Sequence, residues 1–379
     1  MQSILNTTTD HHPSTSLTSP AGIPRLAIDI NVYQRQTRIT TMAADEQTPT
    51  PTPTNPVPTT MATSTTSNTT AGNTNASNSN NTLSQAKYAD LTFNSPLSAP
   101  HADALIAHLA LSPSSSSSLS TTTISVVDLG CGWGELLLRA AESVAASSSS
   151  SHSGEVGAAV TFTGVDTDAA LLERGRLLAR LGSRGDSSNA STSPSVSFVD
   201  APASSWTQPA HRAICIGSSH ALGGTRPALQ HLARIVAPYS SSSSLSSSSA
   251  TSAPPPSASP SPSTSSYARV LFGEMFWQVS PPPEATRALF GDDEVPGSLA
   301  DLVASCRDEG WTVLHVSVAD QAEWDDFESR HRSGQRRWLL EHPGSEGADE
   351  LRRQLDQREH DYLAHYRGIL GFAFLILAR

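Results

Sequence analysis

Between Val126 and Glu135 the chain reads Val-Val-Asp-Leu-Gly-Cys-Gly-Trp-Gly-Glu, an apolar strand running into three alternate glycines and then a helix. Gly130, Gly132 and Gly134 let the backbone approach a ligand without Cβ clashes, and the N–H groups that open the helix point at it. The spacing is G-x-G-x-G, not the G-x-G-x-x-G that cradles a dinucleotide pyrophosphate. Asp128, just ahead of the glycines, repels a diphosphate and favours a cationic ligand such as an amino group. Asp166 ends the next apolar segment, Thr163-Gly164-Val165-Asp166, where a carboxylate can accept from two ribose hydroxyls. Gly130 and Asp166 are farther apart than the ~20 residues of a compact nucleotide-binding unit, and the serine run at 147–153 accounts for most of the excess. Asp200 ends a third segment and can accept from an exocyclic adenine amine. Singly, each Asp reads as a helix cap or a solvated turn. Three at consecutive strand ends beside the glycines make coincidence a poor explanation.

The elements that must hold these residues alternate. Strands are expected at Ile124–Leu129, Val160–Asp166, Val196–Val199, Ala213–Gly217 and Val270–Gly273. Helices are expected at Glu135–Ala146, Ala169–Leu181, a short stretch near 202–210, and Thr225–Val236. Such alternation requires crossovers, hence a doubly wound α/β fold with a mostly parallel sheet. Ser98 opens a helix ahead of the first strand, with Ala102, Leu105, Ile106 and Leu109 at helical spacing. Near the C-terminus, Ser298-Leu299-Ala300-Asp301 is a capping-box pattern for a helix that Gly310 ends. A strand at Trp311–Val318, helices at about 321–341 and 347–367, and a last strand at Leu370–Leu377 follow. The first of those helices carries Trp324, Phe327, His331 and Trp338 on one face; the second carries Leu351, Leu355, Tyr362 and Tyr366. Core packing is the favoured reading of that stripe, with a lid over the site as the alternative.

Asp128-Leu129-Gly130-Cys131-Gly132-Trp133-Gly134 resembles the first motif of the class I S-adenosylmethionine-dependent methyltransferases, and Gly164-Val165-Asp166 their second. The resemblance covers about 86–379 apart from the serine inserts. It implies a Rossmann-like seven-stranded sheet with the last strand antiparallel and a helical insertion before it. S-adenosyl-L-methionine is the implied cofactor. Asp166 would hold its ribose, Asp200 its adenine, and the Gly130–Gly134 turn its methionine moiety, with Asp128, Cys131, Gly132 and Gly217 completing the cofactor site. Three further blocks, Cys215 to Ala221, Phe272 to Trp277 and Tyr366 to Phe372, are similar to small-molecule methyltransferases of largely unassigned substrate. Gly217-Ser218-Ser219-His220 replaces the Asp/Asn-Pro-Pro-Tyr block of nucleobase and amide N-methyltransferases, which disfavours DNA or glutamine as acceptor.

A sulfonium methyl is already activated, so the protein mainly supplies in-line approach of a nucleophile within about 3–3.5 Å and, where needed, a base. The end of the fourth strand faces the reacting centre of an open α/β sheet. His220 is therefore the candidate base or orienting group, with Ser218 and Ser219 as polar neighbours; equally, His220 caps the next helix through Ser219 or bonds to backbone. Glu274 and Trp277, beyond the fifth strand, either close the substrate side or serve as an arginine partner and a core residue. His360 and His365 lack the i, i+4 spacing of a helical metal pair, and no metal site is expected.

Composition bounds the partners. The 379 residues carry 24 Lys+Arg, 35 Asp+Glu and a net charge of −11, which argues against nucleic acid and anionic membranes. Three distant cysteines without a CxxC fit a reducing compartment. With no secretory signal and no long apolar run, the expected location is cytoplasmic, organelle targeting through Arg25, Arg35 and Arg38 being the lesser reading. Residues 1–83 read as a disordered Ser/Thr/Asn/Pro-rich tail, with Met42 a possible second start, and 84–379 as the catalytic domain. Serine-rich inserts near 113–122, 147–153, 187–195 and 240–266 fall in connections. The expected activity is methyl transfer to a small-molecule acceptor. The alternatives are an NAD(P)-dependent oxidoreductase, disfavoured by the glycine spacing, and a non-catalytic ligand-binding or scaffold protein.

Overall fold

A computed structural model describes residues 86–111, 123–149, 160–182, 194–236, 267–290 and 295–379. The tail at 1–83 and the inserts at 113–122 and 240–266 lie outside the described residues. The chain order begins with α1 (Ala99–His108), β1 (Ile124–Leu129), α2 (Glu135–Ser149), β2 (Val160–Asp166), α3 (Ala169–Gly182), β3 (Ser195–Asp200), β4 (Arg212–Ile216) and α4 (Thr225–Ile235). It continues with β5 (Arg269–Trp277), α5 (Glu284–Phe290), α6 (Leu299–Asp308), β6 (Thr312–Val318), α7 (Gln321–Glu341), α8 (Ala348–Asp361) and β7 (Leu370–Ala378).

The strands form one seven-stranded sheet in the order β3-β2-β1-β4-β5-β7-β6. β1 to β5 are parallel, and β7 runs antiparallel between β5 and β6. The sheet is mixed, as the resemblance implies. β1 and β4 are neighbours although β2 and β3 separate them in sequence. The winding therefore reverses between them, and the crevice outside their carboxyl ends is where an open α/β sheet binds ligands.

Central strands read as continuous apolar runs because both faces are covered. Ile124 and Val126 of β1 join the core under α1, α2 and α7, whereas Val127 and Leu129 join the core under α4 and α6. All nine residues of β7 are buried. The helix starts follow their caps. Ser298 and Asp301 form the expected capping box on α6, and Asp320 with Glu323 forms a second on α7.

Several expectations are corrected. The stretch near 202–210 contains only a three-residue turn, Ala203–Ser205, because Pro202 and Pro209 bracket it too closely for a helix. The insert at 147–153 is not wholly a connection: α2 continues to Ser149, and within it the Ser147 hydroxyl donates back to the Ser143 carbonyl at 2.8 Å. β5 extends four residues past Gly273, so Glu274 and Trp277 lie inside a strand rather than beyond it. α5 was not foreseen. The last helix stops at Asp361, and a π-turn, Tyr362–Tyr366, follows it.

That π-turn aims Tyr366 at a buried charge. Glu328 of α7 is fully buried and accepts from Arg358 Nε and Nη2 of α8 at 3.0 Å each, from Arg332 Nη1 at 3.1 Å, and from the Tyr366 hydroxyl at 2.9 Å. The stripe predicted from sequence is core: Trp324, Phe327, His331 and Trp338 are all buried. Removing one partner of a buried ion pair strands the other, typically for 3–5 kcal/mol. Glu328→Gln is accordingly expected to lower unfolding stability by about 3–5 kcal/mol in urea titrations. A loss within the ~0.5 kcal/mol of an ordinary surface substitution would show that α7 and α8 do not depend on this carboxylate.

Candidate functional site

The bend after β1 is built by two strands and one carboxylate. The N–H groups of Gly130 and Cys131 both donate to the Val165 carbonyl, at 2.8 and 3.1 Å, which fixes the bend to the tip of β2. Asp166 then grips it from the side. One carboxylate oxygen accepts the Gly132 N–H at 2.8 Å, and the other accepts the Asp168 N–H at 2.9 Å. Two of the bend's glycines are required for different reasons. Gly130 has φ +76°, and a Cβ there would lie 2.4 Å from Cβ of Ser218, in the turn that follows β4. Ser218 closes that contact by donating its hydroxyl to the Leu129 carbonyl at 2.6 Å. Gly132 has φ +55°, and a Cβ there would meet only Leu171 at 3.9 Å, so its backbone faces open space.

That space is a cleft of about 1160 Å³, open mouth included. Its floor is the bend with Asp128 and Asp166, and one side carries Ile214, Ile216, Gly217 and His220 from β4 and the turn beyond. Sequence reasoning missed the opposite wall. Phe93, Asn94, Ser95 and Leu97 close the cleft from a strap that precedes α1. The strap hangs from three places. Trp133 Nε1 donates to the Thr92 carbonyl at 3.1 Å, and Arg174 of α3 stacks over the Trp133 ring at 4.2 Å. Arg174 also donates to the Tyr88 and Leu91 carbonyls, at 2.8 and 3.2 Å. Asp90 ties the strap to α7 by accepting from Ser333 at 2.5 Å and Arg337 at 2.6 Å. The available signal was Tyr88, Leu91, Phe93 and Leu97, an apolar cluster too irregular to read as an element.

The expected site residues separate into two groups. Asp128, Gly130, Cys131, Gly132, Asp166, Gly217 and His220 all line the cleft. Gly134 completes the bend behind them, donating to the Cys131 carbonyl at 2.9 Å. Asp200 is exposed at the end of β3, in register with Asp166, and Pro202, Ala203 and Ser204 line the cleft instead. Ser219 is buried outside the lining. Glu274 is buried and accepts from the Thr225 hydroxyl at 3.2 Å and the Met275 N–H at 3.1 Å, so it supports the start of α4 and does not line the cleft. His220 does not cap that helix. Its carbonyl accepts the Gly223 N–H within a short turn, and Gly224 occupies the N-cap position.

The electrostatics are one-sided. Asp128, Glu135 and Asp166 line the cleft, and among the described residues lining it there is no Lys or Arg. Burial, reinforced by Asp166, pushes the Asp128 carboxyl up to about 8. Burial also raises Glu135 and raises the Cys131 thiol, which makes Cys131 a poor nucleophile. A positive charge entering this cleft would favour the ionised form of Asp128 and offset the repulsion from Asp166.

Asp128 binds its proton more tightly in the folded protein than in the unfolded chain. Its contribution to stability is full near pH 4 and is lost as pH rises toward about 8. Asp128→Asn copies the protonated form and cannot ionise. Thermal melts of the ligand-free protein should therefore show the variant melting above wild type at pH 9 and with it at pH 4. Parallel curves at all pH values would contradict the raised ionisation.

No protein-family model matches the chain. The uncharacterized protein YjhP of Escherichia coli K12 is 30% identical over 113 residues, 29% of this chain and 46% of that protein, so the match spans just under half of that relative's length. Among solved structures, a SAM-dependent methyltransferase from Geobacter sulfurreducens in complex with S-adenosyl-L-homocysteine superposes with a TM-score of 0.58 at 24% identity, covering 78% of this chain and 96% of that one. One from Thiobacillus denitrificans, also in complex with S-adenosyl-L-homocysteine, gives 0.57 at 24% identity over 78% and 98%. The structure of YjhP gives 0.57 at 22% identity over 78% and 99%. These similarities establish the fold.

Proposed function

We propose that this chain, which has the fold of the class I S-adenosylmethionine-dependent methyltransferases, transfers a methyl group from S-adenosyl-L-methionine to a small-molecule acceptor. One observation carries the reading: the cleft at the β1–β4 switch point joins an uncovered glycine bend to two buried carboxyl groups and, among the described residues, offers no lining Lys or Arg. A cationic donor bearing a ribose fits that set. A dinucleotide, with its pyrophosphate, does not.

The residues present would hold the donor as follows. Asp128 would face an ammonium group, the Gly130–Gly132 backbone would accommodate the amino-acid end, and Asp166 would accept from the ribose. Asp166 already accepts two amide N–H groups, yet a carboxylate has about four lone-pair sites and keeps capacity for hydroxyls. Pro202, Ala203 and Ser204, which line the cleft just beyond Asp200, would lie beside the base. Bound there, the donor supplies an activated methyl group whose transfer breaks the carbon–sulfur bond and leaves a neutral thioether. His220, on the β4 side of the cleft, accepts the proton of an attacking hydroxyl, thiol or amine or orients it. The strap excludes water from the front.

Calorimetry with S-adenosyl-L-methionine and S-adenosyl-L-homocysteine tests the donor. Both should bind, and Asp166→Ala should weaken both by at least tenfold. Failure of both to bind wild type, or an unchanged affinity in the variant, would remove the assignment, and enhanced NADH fluorescence on mixing would favour an oxidoreductase. His220→Ala should lower turnover of deuterated donor in a metabolite extract at least tenfold while donor affinity stays within a factor of two. Unchanged turnover would reduce His220 to a structural residue.

A further inference from the structure

The front wall of the cleft is set by residues behind it. Phe93, Asn94, Ser95 and Leu97 line the cleft from a stretch, 91–97, that is neither helix nor strand. The wall begins one residue after Thr92, whose carbonyl accepts from Trp133 Nε1 at 3.1 Å. Trp133 in turn follows Gly132 of the bend, so the side chain that holds the wall grows from the backbone that faces the cleft. Arg174 of α3 holds both the indole and the chain leading into the wall. Its guanidinium lies 4.2 Å over the Trp133 ring, and Tyr88 packs on the same indole with ring centroids 5.8 Å apart. Its Nη1 and Nη2 donate to the Tyr88 and Leu91 carbonyls, at 2.8 and 3.2 Å, across the turn that the Leu91 N–H closes onto the Tyr88 carbonyl. α3 reaches this place because the next residue is Gly175: a Cβ there would lie 2.6 Å from the Trp133 carbonyl oxygen.

Arg174 is half-buried and does not line the cleft. A wall without a ladder of its own must be ordered from outside, and ordering it only when a ligand arrives would subtract from affinity. A planar guanidinium suits the task, because its face stacks on an indole while two of its nitrogens reach two separate carbonyls. A lysine ammonium is a point charge and cannot do both. We propose that Arg174 is a positioning residue for the donor: by clamping Trp133 and the 88–91 turn it fixes the front wall against the glycine bend, and donor affinity depends on it from outside the cleft. The inference rests on the methyl-transfer reading and adds a residue to it. Arg174 also lends positive charge to Glu135 at the cleft, an effect that lysine would preserve. Lysine substitution therefore separates the clamp from the charge.

Two measurements on wild type, Arg174→Gln and Arg174→Lys test this: hydrogen–deuterium exchange of the ligand-free protein and calorimetry with S-adenosyl-L-homocysteine. In both variants amide exchange at 91–97 should quicken at least tenfold while β4 and β5 keep their wild-type rates. S-adenosyl-L-homocysteine should bind both at least tenfold more weakly, with no rescue by lysine. Trp133→Phe, which keeps an aromatic ring but deletes the N–H, should move both readouts in the same direction by at least threefold, and it serves if the Arg174 variants do not fold. Affinity within twofold of wild type, full rescue by Arg174→Lys, or exchange that rises equally in the strap and in β5, as general destabilisation would give, would overturn the proposal. If wild type itself fails to bind, the donor reading falls and takes the affinity claim with it. The exchange comparison, made without ligand, still decides whether Arg174 orders the wall, so the two failures are read apart.

Discussion

The carboxylate of Asp166 joins two pieces of backbone that would otherwise be independent. It accepts from the bend after β1 and from the turn that starts α3, so the tip of β2 sets where both lie. Each such charge-assisted bond is stronger than a neutral one, and here both are largely removed from water. The β4 side answers from across the crevice, where Ser218 fills the space that a Cβ at Gly130 would have taken. The shape of the cleft follows from these two closures.

The same carboxylate has an electrostatic cost. Two acidic groups share the floor of the cleft, and burial together with the neighbouring Asp166 makes Asp128 hold its proton. Holding two carboxyl groups this close and out of water costs the folded protein stability once Asp128 ionises.

Most of the frame was legible because the strongest signals are local. An apolar run followed by alternate glycines leaves few conformations, and β1, the bend and α2 begin where the residues say. Asp128, Asp166 and His220 were readable for the same reason, since a strand end in an alternating α/β chain fixes the side of the sheet on which its residue emerges. Failures came where tertiary context decides. Glu274 was placed on a loop because Gly273 looked like a strand end; pairing with all nine residues of β7 carries the strand on to Trp277. Asp200 ends its strand as expected and is exposed there, while the turn after it lines the cleft. The strap was invisible because its position comes from distant partners, Trp133, Arg174, Ser333 and Arg337, and not from any period of its own.

That hanging segment bears on where the working unit begins. Its attachments reach α3, the glycine bend and α7, while its side chains reach the cleft, so it belongs to the site as fully as any strand does. A clone cut at the first regular helix, at Ser98, would keep every conventional element yet lose one side of its own binding chamber. It would also uncover the faces of Trp133 and His331 that Tyr88 shelters. The shortest competent protein is therefore longer than its helices and strands suggest, and its N-terminal border lies before Tyr88.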